Sequence, residues 1–383
     1  MWKLLDKKLE LISITKNVYE YGDYNIIINY NSHSIFLSLM NILKSHFKET
    51  NYNKEILFTY NIVLDNEIFE DLEHIFSYSR KEDVVLSYCR TEKGTMRAEK
   101  VVLNDKGQYL LKTTKTNTFL IADDNKRSYF FVVNETYLDR NTVNKDNYLF
   151  FEHILCKSFV EKDYVLLHAA AVKFREKTIL IIGEKRSGKT TLMFELTKKH
   201  SMHPLAVDKV LCKFTETGKI EVLGVPSRIR VLAGTLSKYK DYFYNLIPKK
   251  YLNASEKDLW AGKSDGKIDL SLSEFEKFID NKFCEQGTLT TIIFPNIKQQ
   301  MQPQLYDMES DSVISKIKSC IYSPICPEED YWSTIGKKQI VSLNINTITL
   351  SNSIINNYLS FELVGNSDLS KPVGNLIKKL SNM

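Results

Sequence analysis

The sequence predicts a protein of mixed α+β and α/β class with two domains. Its 383 residues are enough for two domains, or for one large domain with an elaborated flank. Two strand–helix pairs and a run of short strands are predicted up to about residue 145, and a strand, a glycine-bearing loop and a helix follow one another around residue 185. We therefore expect an N-terminal mixed α+β domain over residues 1–145 and an α/β domain over residues 146–383.

The predicted first domain combines two strand–helix pairs with a series of short strands. Apolar runs indicate strands over 25–30 and 55–64, and apolar residues three or four apart indicate helices over 34–47 and 68–78. Polar turns separate further short strands, which are predicted over 84–88, 100–103, 109–113, 118–122 and 129–133. This meander carries no motif of known chemistry.

The predicted second domain begins with helical spacing over 148–160, followed by two neighbouring strands. One of these strands surrounds His168, and the other covers 178–182. Further strands are predicted over 219–225, 228–232, 289–294 and 338–349. Two helices, over 352–363 and 369–380, are expected to close the chain.

Composition and charge favour a cytoplasmic globular protein. Hydrophobic residues make up 43% of the chain and charged residues 26%. The net charge of +5 is spread without a lysine block, so we expect no nucleic-acid partner, whereas a nucleotide or acidic peptide would be compatible. The longest apolar stretch, Val165 to Val172, is too short to span a membrane. Charges near the N-terminus disfavour a secretory signal, and the six scattered cysteines are expected to be reduced thiols.

The most informative feature is the run from Gly183 to Thr190, which reads G-x-x-x-x-G-K-T. Glycines at this spacing let successive backbone N–H groups point at phosphate oxygens. Lys189 is then expected on the outer phosphates of ATP or GTP, and the Thr190 hydroxyl on Mg²⁺. The flanking strand and helix fit, because they aim a helix N-terminus at the anion. The predicted nucleotide-binding residues are Gly183, Glu184, Lys185, Arg186, Ser187, Gly188, Lys189, Thr190 and Thr191.

Chemistry at such a loop needs a carboxylate that holds the metal or accepts a proton. The best candidate is Asp208, nineteen positions after Lys189 in the run from His203 to Val210. One helix and a tight turn fill the interval, which can return Asp208 to the phosphate pocket. The sequence leaves open whether Asp208 is a base, a metal ligand or both, and a solvated acid at a strand end is the alternative.

Two arginines downstream are candidates for a phosphate clamp. Arg228 and Arg230 alternate along a predicted strand and therefore share a face. Guanidinium groups suit planar oxyanions, so one or both could bind a phosphate or an acidic acceptor. A solvated strand face is the alternative.

Three runs resemble the HPr serine kinase family, which shares its nucleotide-binding core with phosphoenolpyruvate carboxykinases. They are the strand Leu167 to Val172, the loop Ile181 to Leu192 and the acidic strand His203 to Val210, and the match covers about residues 163–232. The L-H-A-A-A-V form and Thr191 look closer to HPr-kinase-like enzymes that modify peptides, such as lasso-peptide kinases. The resemblance implies a kinase core with ATP or GTP and Mg²⁺, and it places His168 near the γ-phosphate beside Lys189 and Asp208.

Departures from the family pattern limit what the resemblance implies. Val207 stands where the family has a first acid, and Thr191 stands where HPr kinase has an acid after its loop. The run from Leu223 to Arg230 replaces the glycine-rich signature of HPr kinase. HPr itself and the reverse dephosphorylation are therefore not expected.

The leading hypothesis is an Mg²⁺-dependent kinase that phosphorylates a serine hydroxyl on a peptide or small protein. The predicted first domain would recognise the acceptor, and the relatives imply a homo-oligomer. Three alternatives stay open: a small-molecule hydroxyl kinase, a nucleotide-binding regulatory module without phosphotransfer, and a phosphate-loop hydrolase. Taken alone, His168 on an apolar strand could equally be a hydrogen-bonded core residue.

Overall fold

The structure, a computed structural model, describes residues 7–8, 12–87, 96–104, 107–114, 116–137, 140–215, 217–260, 267–297, 302–321, 355–366 and 368–382. These residues form a mixed α/β protein that divides into two compact units, one ending at Lys162 and one beginning at Asp163. The strand predicted over 338–349 lies outside the described residues. None of the described helices combines the length and the apolar composition needed to cross a bilayer.

The described part of the first unit is built on a nine-stranded mixed sheet in the order β3-β1-β2-β4-β9-β8-β7-β6-β5. The strands are β1 (Thr15–Tyr21), β2 (Tyr24–Tyr30), β3 (Lys48–Glu49), β4 (Glu55–Leu64), β5 (Glu82–Ser87), β6 (Met96–Asn104), β7 (Gln108–Thr113), β8 (Phe119–Asp123) and β9 (Ser128–Val133). The helices are α1 (His33–Leu43), α2 (Asn66–Ser77) and α3 (Arg140–Val160), with a 3₁₀ turn at Glu135–Tyr137.

Helices cross between the parallel strands of this sheet and cover it. Strands β2 and β4 are parallel, as are β4 and β9, and parallel pairing requires crossover segments. Helix α2 starts where the Asp65 side chain accepts a hydrogen bond from the Ile68 backbone N–H at 2.9 Å. It buries Phe69 and Leu72 against strand residues of the sheet. Helix α3 belongs to the first unit, so the division falls after Lys162, whereas the sequence suggested a break near residue 145.

A buried carboxylate on α3 gives the first unit a distinctive pH dependence. Asp146 is almost fully buried and accepts hydrogen bonds from Thr116 and from Thr118, the latter at 3.2 Å. Burial raises the pKa of Asp146 from 3.8 to about 6, although these threonine hydroxyls oppose the shift. The folded state therefore holds a proton that the unfolded chain releases, and stability falls as pH rises through this window.

Asp146→Asn is expected to remove this pH dependence. In the wild type the first unit should lose on the order of 3 kcal/mol as pH rises from about 4 to about 6. Hydrogen exchange of α3 amides at both pH values measures the opening free energy of this unit. Asp23→Asn, at an exposed acid of the same unit, is the matched control. An Asp146→Asn protein with the wild-type pH slope would contradict the assignment.

In the described part of the second unit, the main strand path runs β10-β14-β15-β18-β12-β11-β13, and β20 and β19 extend it beside β18. The strands are β10 (Val165–Leu167), β11 (Ala169–Phe174), β12 (Lys177–Ile182), β13 (His203–Ala206), β14 (Val210–Phe214), β15 (Ile220–Gly224), β16 (Ile229–Leu232), β17 (Lys267–Leu270), β18 (Gln286–Ile297), β19 (Gln304–Asp307) and β20 (Leu359–Gly365). The helices are α4 (Lys189–His200), α5 (Ala233–Ser237), α6 (Lys240–Phe243), α7 (Lys249–Leu252), α8 (Glu256–Trp260), α9 (Leu272–Ile279), α10 (Ser310–Ser319) and α11 (Ser370–Ser381).

The central strands are buried on both faces, which explains their continuous apolar runs. In β12, Ile179 and Ile181 point into a core shared with helices α4, α9 and α11. Leu180 and Ile182 point into a second core, shared with β14, β15 and α10. The strand that ends at the glycine loop is therefore held rigidly from both sides.

The helix predicted over 352–363 is wrong in its second half, because Leu359–Gly365 forms strand β20. This strand pairs in parallel with the last residues of β18. Phe361 and Leu363, two positions apart, are fully buried in the core shared with helices α4, α9 and α11. The period of two in this short stretch, together with the free edge of β18, decides the conformation. The final helix runs over Ser370–Ser381, close to its predicted position.

Candidate functional site

Strand register gathers three distant segments at one edge of the second unit's sheet. Strand β12 ends at Ile182 immediately before the glycine loop, and Ile182 lies opposite Ala169, the first residue of the antiparallel β11. His168 therefore lies beside the start of the loop. Strand β13 runs antiparallel to β11, with Ala206 opposite Ala171, so the chain beyond Ala206 arrives at this same edge.

Helix α4 and the tight turn after it bring the chain back to this edge of the sheet. The helix ends at His200, and the next residue, Ser201, caps it with a left-handed φ of +52°. Strand β13 begins two residues later, at His203. Asp208 lies in the bend that follows β13 rather than within the strand, and this bend carries its side chain into the loop region.

Both glycines of the loop are required by its geometry. Gly188 has a φ of +102°, and a Cβ there would lie 2.5 Å from Cδ1 of Ile297. A Cβ on Gly183 would lie 2.5 Å from the Ser187 hydroxyl oxygen. The Ile297 backbone N–H donates to the Ser187 carbonyl at 3.0 Å, which ties the loop to the end of β18. The Ser187 Oγ is buried and has no hydrogen-bond partner among the described residues.

Lys189 is a buried cation aimed at the loop. Its side chain is 7% exposed, and its Nζ donates to the carbonyl oxygens of Gly183 at 2.6 Å and Glu184 at 3.1 Å. Burial lowers the pKa of Lys189, although the charge of Asp208 partly opposes this shift. Within the described parts of the chain, Lys189 has hydrogen bonds to neutral carbonyls but no ion pair. A buried ammonium in this condition favours an anionic ligand.

Asp208 and His168 form a pair at the mouth of the loop. The Nε2 of His168 lies 3.2 Å from Oδ1 of Asp208, and the two side chains are 32% and 52% exposed. Desolvation by the surrounding protein would raise the pKa of Asp208, but the hydrogen bond and charge of His168, with Lys209 and Lys189, lower it well below its usual value. Asp208 is therefore a stable anion at neutral pH. Such a carboxylate suits a metal ligand better than a base, since efficient bases have a pKa near the working pH.

These segments line a cavity of about 350 Å³, a size suited to a small ligand. Five basic side chains and a single carboxylate are found among its described lining residues. The lining consists of His168, Lys185, Arg186, Gly188, Lys189, Thr190, Thr191, Asp208, Arg230, Leu232, Thr235, Trp260, Lys267 and Ile297. Like charges gathered at this density repel one another, so the cavity is electrostatically prepared for a polyanion.

Sequence reasoning missed Lys267 as a candidate. Strand β17 pairs with β16, and this register sets Lys267 opposite Leu232 at the cavity wall. Burial lowers the pKa of Lys267, and the charges of Arg230 and the loop cations add to this effect against the opposing charge of Asp208. No spacing rule connects Lys267 with the loop motif, because only the β16–β17 pairing brings it there.

The two predicted clamp arginines differ in position. Arg230 lines the cavity and pairs with Asp269, with 3.3 Å between Nε and Oδ1. Arg228 is exposed and precedes β16, and it is not among the residues that line the cavity. The structure therefore does not bring the two guanidinium groups together at the cavity.

The loop residues also divide by position. Lys185, Arg186, Gly188, Lys189, Thr190 and Thr191 line the cavity, whereas Gly183, Glu184 and Ser187 are not among its lining residues. The Thr191 hydroxyl lies 3.0 Å from the hydroxyl of Thr235, and both side chains are buried. Thr191 therefore connects the start of α4 to α5.

The donor set at the cavity fits magnesium held together with phosphates. Thr190 and Asp208 supply a hydroxyl and a carboxylate oxygen, and Mg²⁺ is commonly bound by one or two carboxylates plus substrate phosphates. Within the described ranges, no group of three or more His, Cys, Asp or Glu residues could hold a metal ion by itself. Phosphate oxygens and water would therefore have to complete the coordination.

Comparison with known proteins shows a distant structural likeness. No family model matches this chain, and no curated protein matches it. The chain is similar to the solved HPr(Ser) kinase/phosphatase from Coxiella burnetii with a TM-score of 0.24 and 11% sequence identity, covering 57% of this chain and 88% of that one. A likeness at this TM-score carries no inference about fold or function.

Proposed function

We propose that this protein is a Mg²⁺-dependent phosphotransferase that uses ATP or GTP to phosphorylate a hydroxyl group, and specifically a serine of a peptide or small protein. The observation that carries the proposal is the cavity itself, in which a glycine loop and five basic side chains surround one carboxylate. Enzymes that transfer phosphoryl groups work mainly by positioning and by neutralising charge, and this cavity is built from groups that do both.

Each residue has a role within this proposal. Lys189 would turn from the loop carbonyls to the outer phosphates. This movement would exchange its neutral hydrogen-bond partners for anions. Lys267 and Arg230 would neutralise charge on the phosphates. Magnesium, when bound, would supply further charge neutralisation at the phosphates. Thr190 and Asp208 would hold it there, and His168 would orient the Asp208 carboxylate through the contact at 3.2 Å.

The acceptor in this proposal is a peptide or small protein. The phosphate motifs all lie in the second unit, so we assign recognition of a peptide or small protein to the first unit. The peptide preference depends on the sequence resemblance described above. A small-molecule hydroxyl acceptor uses the same cavity chemistry and is separated from a peptide only by experiment.

Incubation with γ-labelled ATP, Mg²⁺ and a library of serine-containing peptides tests this function. Label on a peptide hydroxyl, lost when EDTA is added, is the expected result. Release of free phosphate without any labelled acceptor would indicate a hydrolase instead. The absence of any change in ATP would remove phosphotransfer from the proposal.

A nucleotide-binding module without phosphotransfer is the second candidate. The observation that favours it is the pairing of Asp208 with His168, which makes Asp208 a poor proton acceptor. This candidate predicts nucleotide binding without any product, and the labelling experiment distinguishes it from a kinase.

A further inference from the structure

Three of the side chains that line the cavity are apolar, in contrast to the charged and polar remainder. They are Leu232, Trp260 and Ile297, and the other lining residues are polar or charged apart from Gly188. A ligand that consisted of phosphates alone would leave these apolar side chains uncovered. The lining therefore indicates a ligand with an anionic part and a flat or apolar part.

The indole of Trp260 lies with one face against the backbone of Gly234. A Cβ built on Gly234 would be 2.6 Å from both Cδ2 and Cε2 of the indole, and 3.0 Å from Cε3. Cδ2 and Cε2 are shared by the two rings of the indole, so other ring atoms surround them within the ring plane. Another atom can come close to both of them only from above or below that plane. The Gly234 backbone must therefore lie above the ring, and any larger residue at this position would displace the indole.

Neighbouring contacts fix this ring relative to the phosphate loop. Gly234 is followed by Thr235, whose hydroxyl lies 3.0 Å from that of Thr191 at the start of α4. Thr191 directly follows Thr190 of the loop. One short path of buried contacts thus connects the indole to the residues that would hold the phosphates, and a single rigid ligand could contact both.

We propose that Trp260 is the stacking platform for the nucleobase of the bound nucleotide. This inference rests on the proposed nucleotide-dependent function and names the part of the site that binds the base. The indole would offer the base a planar face whose position is set by Gly234 from behind. Because every base has a π-face, stacking of this kind tolerates both adenine and guanine.

Equilibrium binding of ATP, GTP and inorganic tripolyphosphate to the wild type and three variants tests the platform. Trp260→Ala is expected to weaken ATP and GTP binding by about tenfold or more, as for the loss of one base–aromatic stack. Its affinity for tripolyphosphate, which has no base, should stay at the wild-type value. Trp260→Phe should retain most of the ATP affinity. Tyr244→Ala, at an aromatic residue that is 59% exposed in the same unit, is the control.

Gly234→Ala provides a second variant that keeps the tryptophan. The added methyl group displaces the indole, so we expect this protein to lose ATP affinity and to keep tripolyphosphate affinity, like Trp260→Ala. A further protein keeps Gly234 and has Trp2 and Trp332 replaced by Phe, so that Trp260 is its one tryptophan. ATP should quench the fluorescence of Trp260 in this protein, and tripolyphosphate should not. This readout follows contact with the base rather than protein folding.

Two sets of results would overturn the inference, and they differ in what else they overturn. In the first set, the wild type binds both ATP and tripolyphosphate. If Trp260→Ala then keeps the wild-type affinity for ATP, or loses the same affinity for both ligands, the platform alone is overturned. A wild-type protein that binds neither ligand would overturn the proposed function together with the platform.

Discussion

Lys189→Met is expected to abolish phosphate binding and to leave the folded protein as stable as the wild type or more stable. The loss follows from the position of the ammonium at the base of the loop, where it is 7% exposed and bonded only to carbonyls of Gly183 and Glu184 within the described residues. A preorganised donor of this kind typically contributes about 100-fold or more to phosphoryl transfer. Stability should not fall in parallel, because a buried cation without a carboxylate partner carries a desolvation cost that methionine does not.

Two measurements separate these effects. Titration calorimetry with tripolyphosphate reports the affinity, and urea unfolding reports the stability of the same preparation. Lys185→Met is the matched control, since Lys185 is an exposed lysine on the same cavity and should lose far less affinity. A Lys189→Met protein that unfolds more readily and still binds tripolyphosphate would show that Lys189 is structural.

The parts of the site that sequence could indicate are those set by short-range spacing. The glycine loop is a local motif, and its strand and helix are encoded on either side of it. Asp208 could be chosen because a single helix and turn connect it to Lys189, whereas His168 was indicated by the resemblance of the run Leu167 to Val172 to the HPr serine kinase family. The structure lines one cavity with His168, Lys189, Thr190 and Asp208.

The parts that sequence could not indicate depend on tertiary pairing. Lys267 reaches the cavity through the two-stranded β16–β17 sheet, and Trp260 through its packing on Gly234. Neither contact has a fixed sequence separation from the loop. Strand β1 was missed because its alternation of apolar and polar residues is too short to predict a strand. Strand β20 was missed because Phe361 and Leu363 read equally well as part of a helix.

The charges of the cavity also explain how a single carboxylate could control it. Asp208 is the only acid among the described lining residues, and five basic side chains surround it. It pairs with His168 and draws the pKa values of Lys189 and Lys267 upward against their burial. For incoming phosphates, Asp208 is a repulsive charge unless a cation lies between them. Within the proposed function, the carboxylate would make the cavity selective for the metal complex of the nucleotide over the free nucleotide.

Asp208→Asn is therefore expected to lower the turnover and the metal dependence of the protein. Its affinity for metal-free nucleotide is expected to rise. Phosphotransfer should fall by about 100-fold or more, because the charge that holds the metal is gone. Affinity for ATP in EDTA should rise, because asparagine no longer repels the phosphates. The increase in affinity that Mg²⁺ gives the wild type should shrink accordingly.

Nucleotide titrations with and without Mg²⁺, beside turnover of labelled ATP, measure all three effects in one variant. Asp269→Asn is the control, because it makes the same chemical change at an exposed acid that pairs with Arg230 and is not among the cavity-lining residues. Asp208→Asn with wild-type turnover and an unchanged response to Mg²⁺ would separate this carboxylate from the metal, leaving the cavity as a nucleotide-binding site alone. A loss of ATP affinity in EDTA would contradict the repulsion between Asp208 and the phosphates, since only an attractive or structural role for the carboxylate gives that sign.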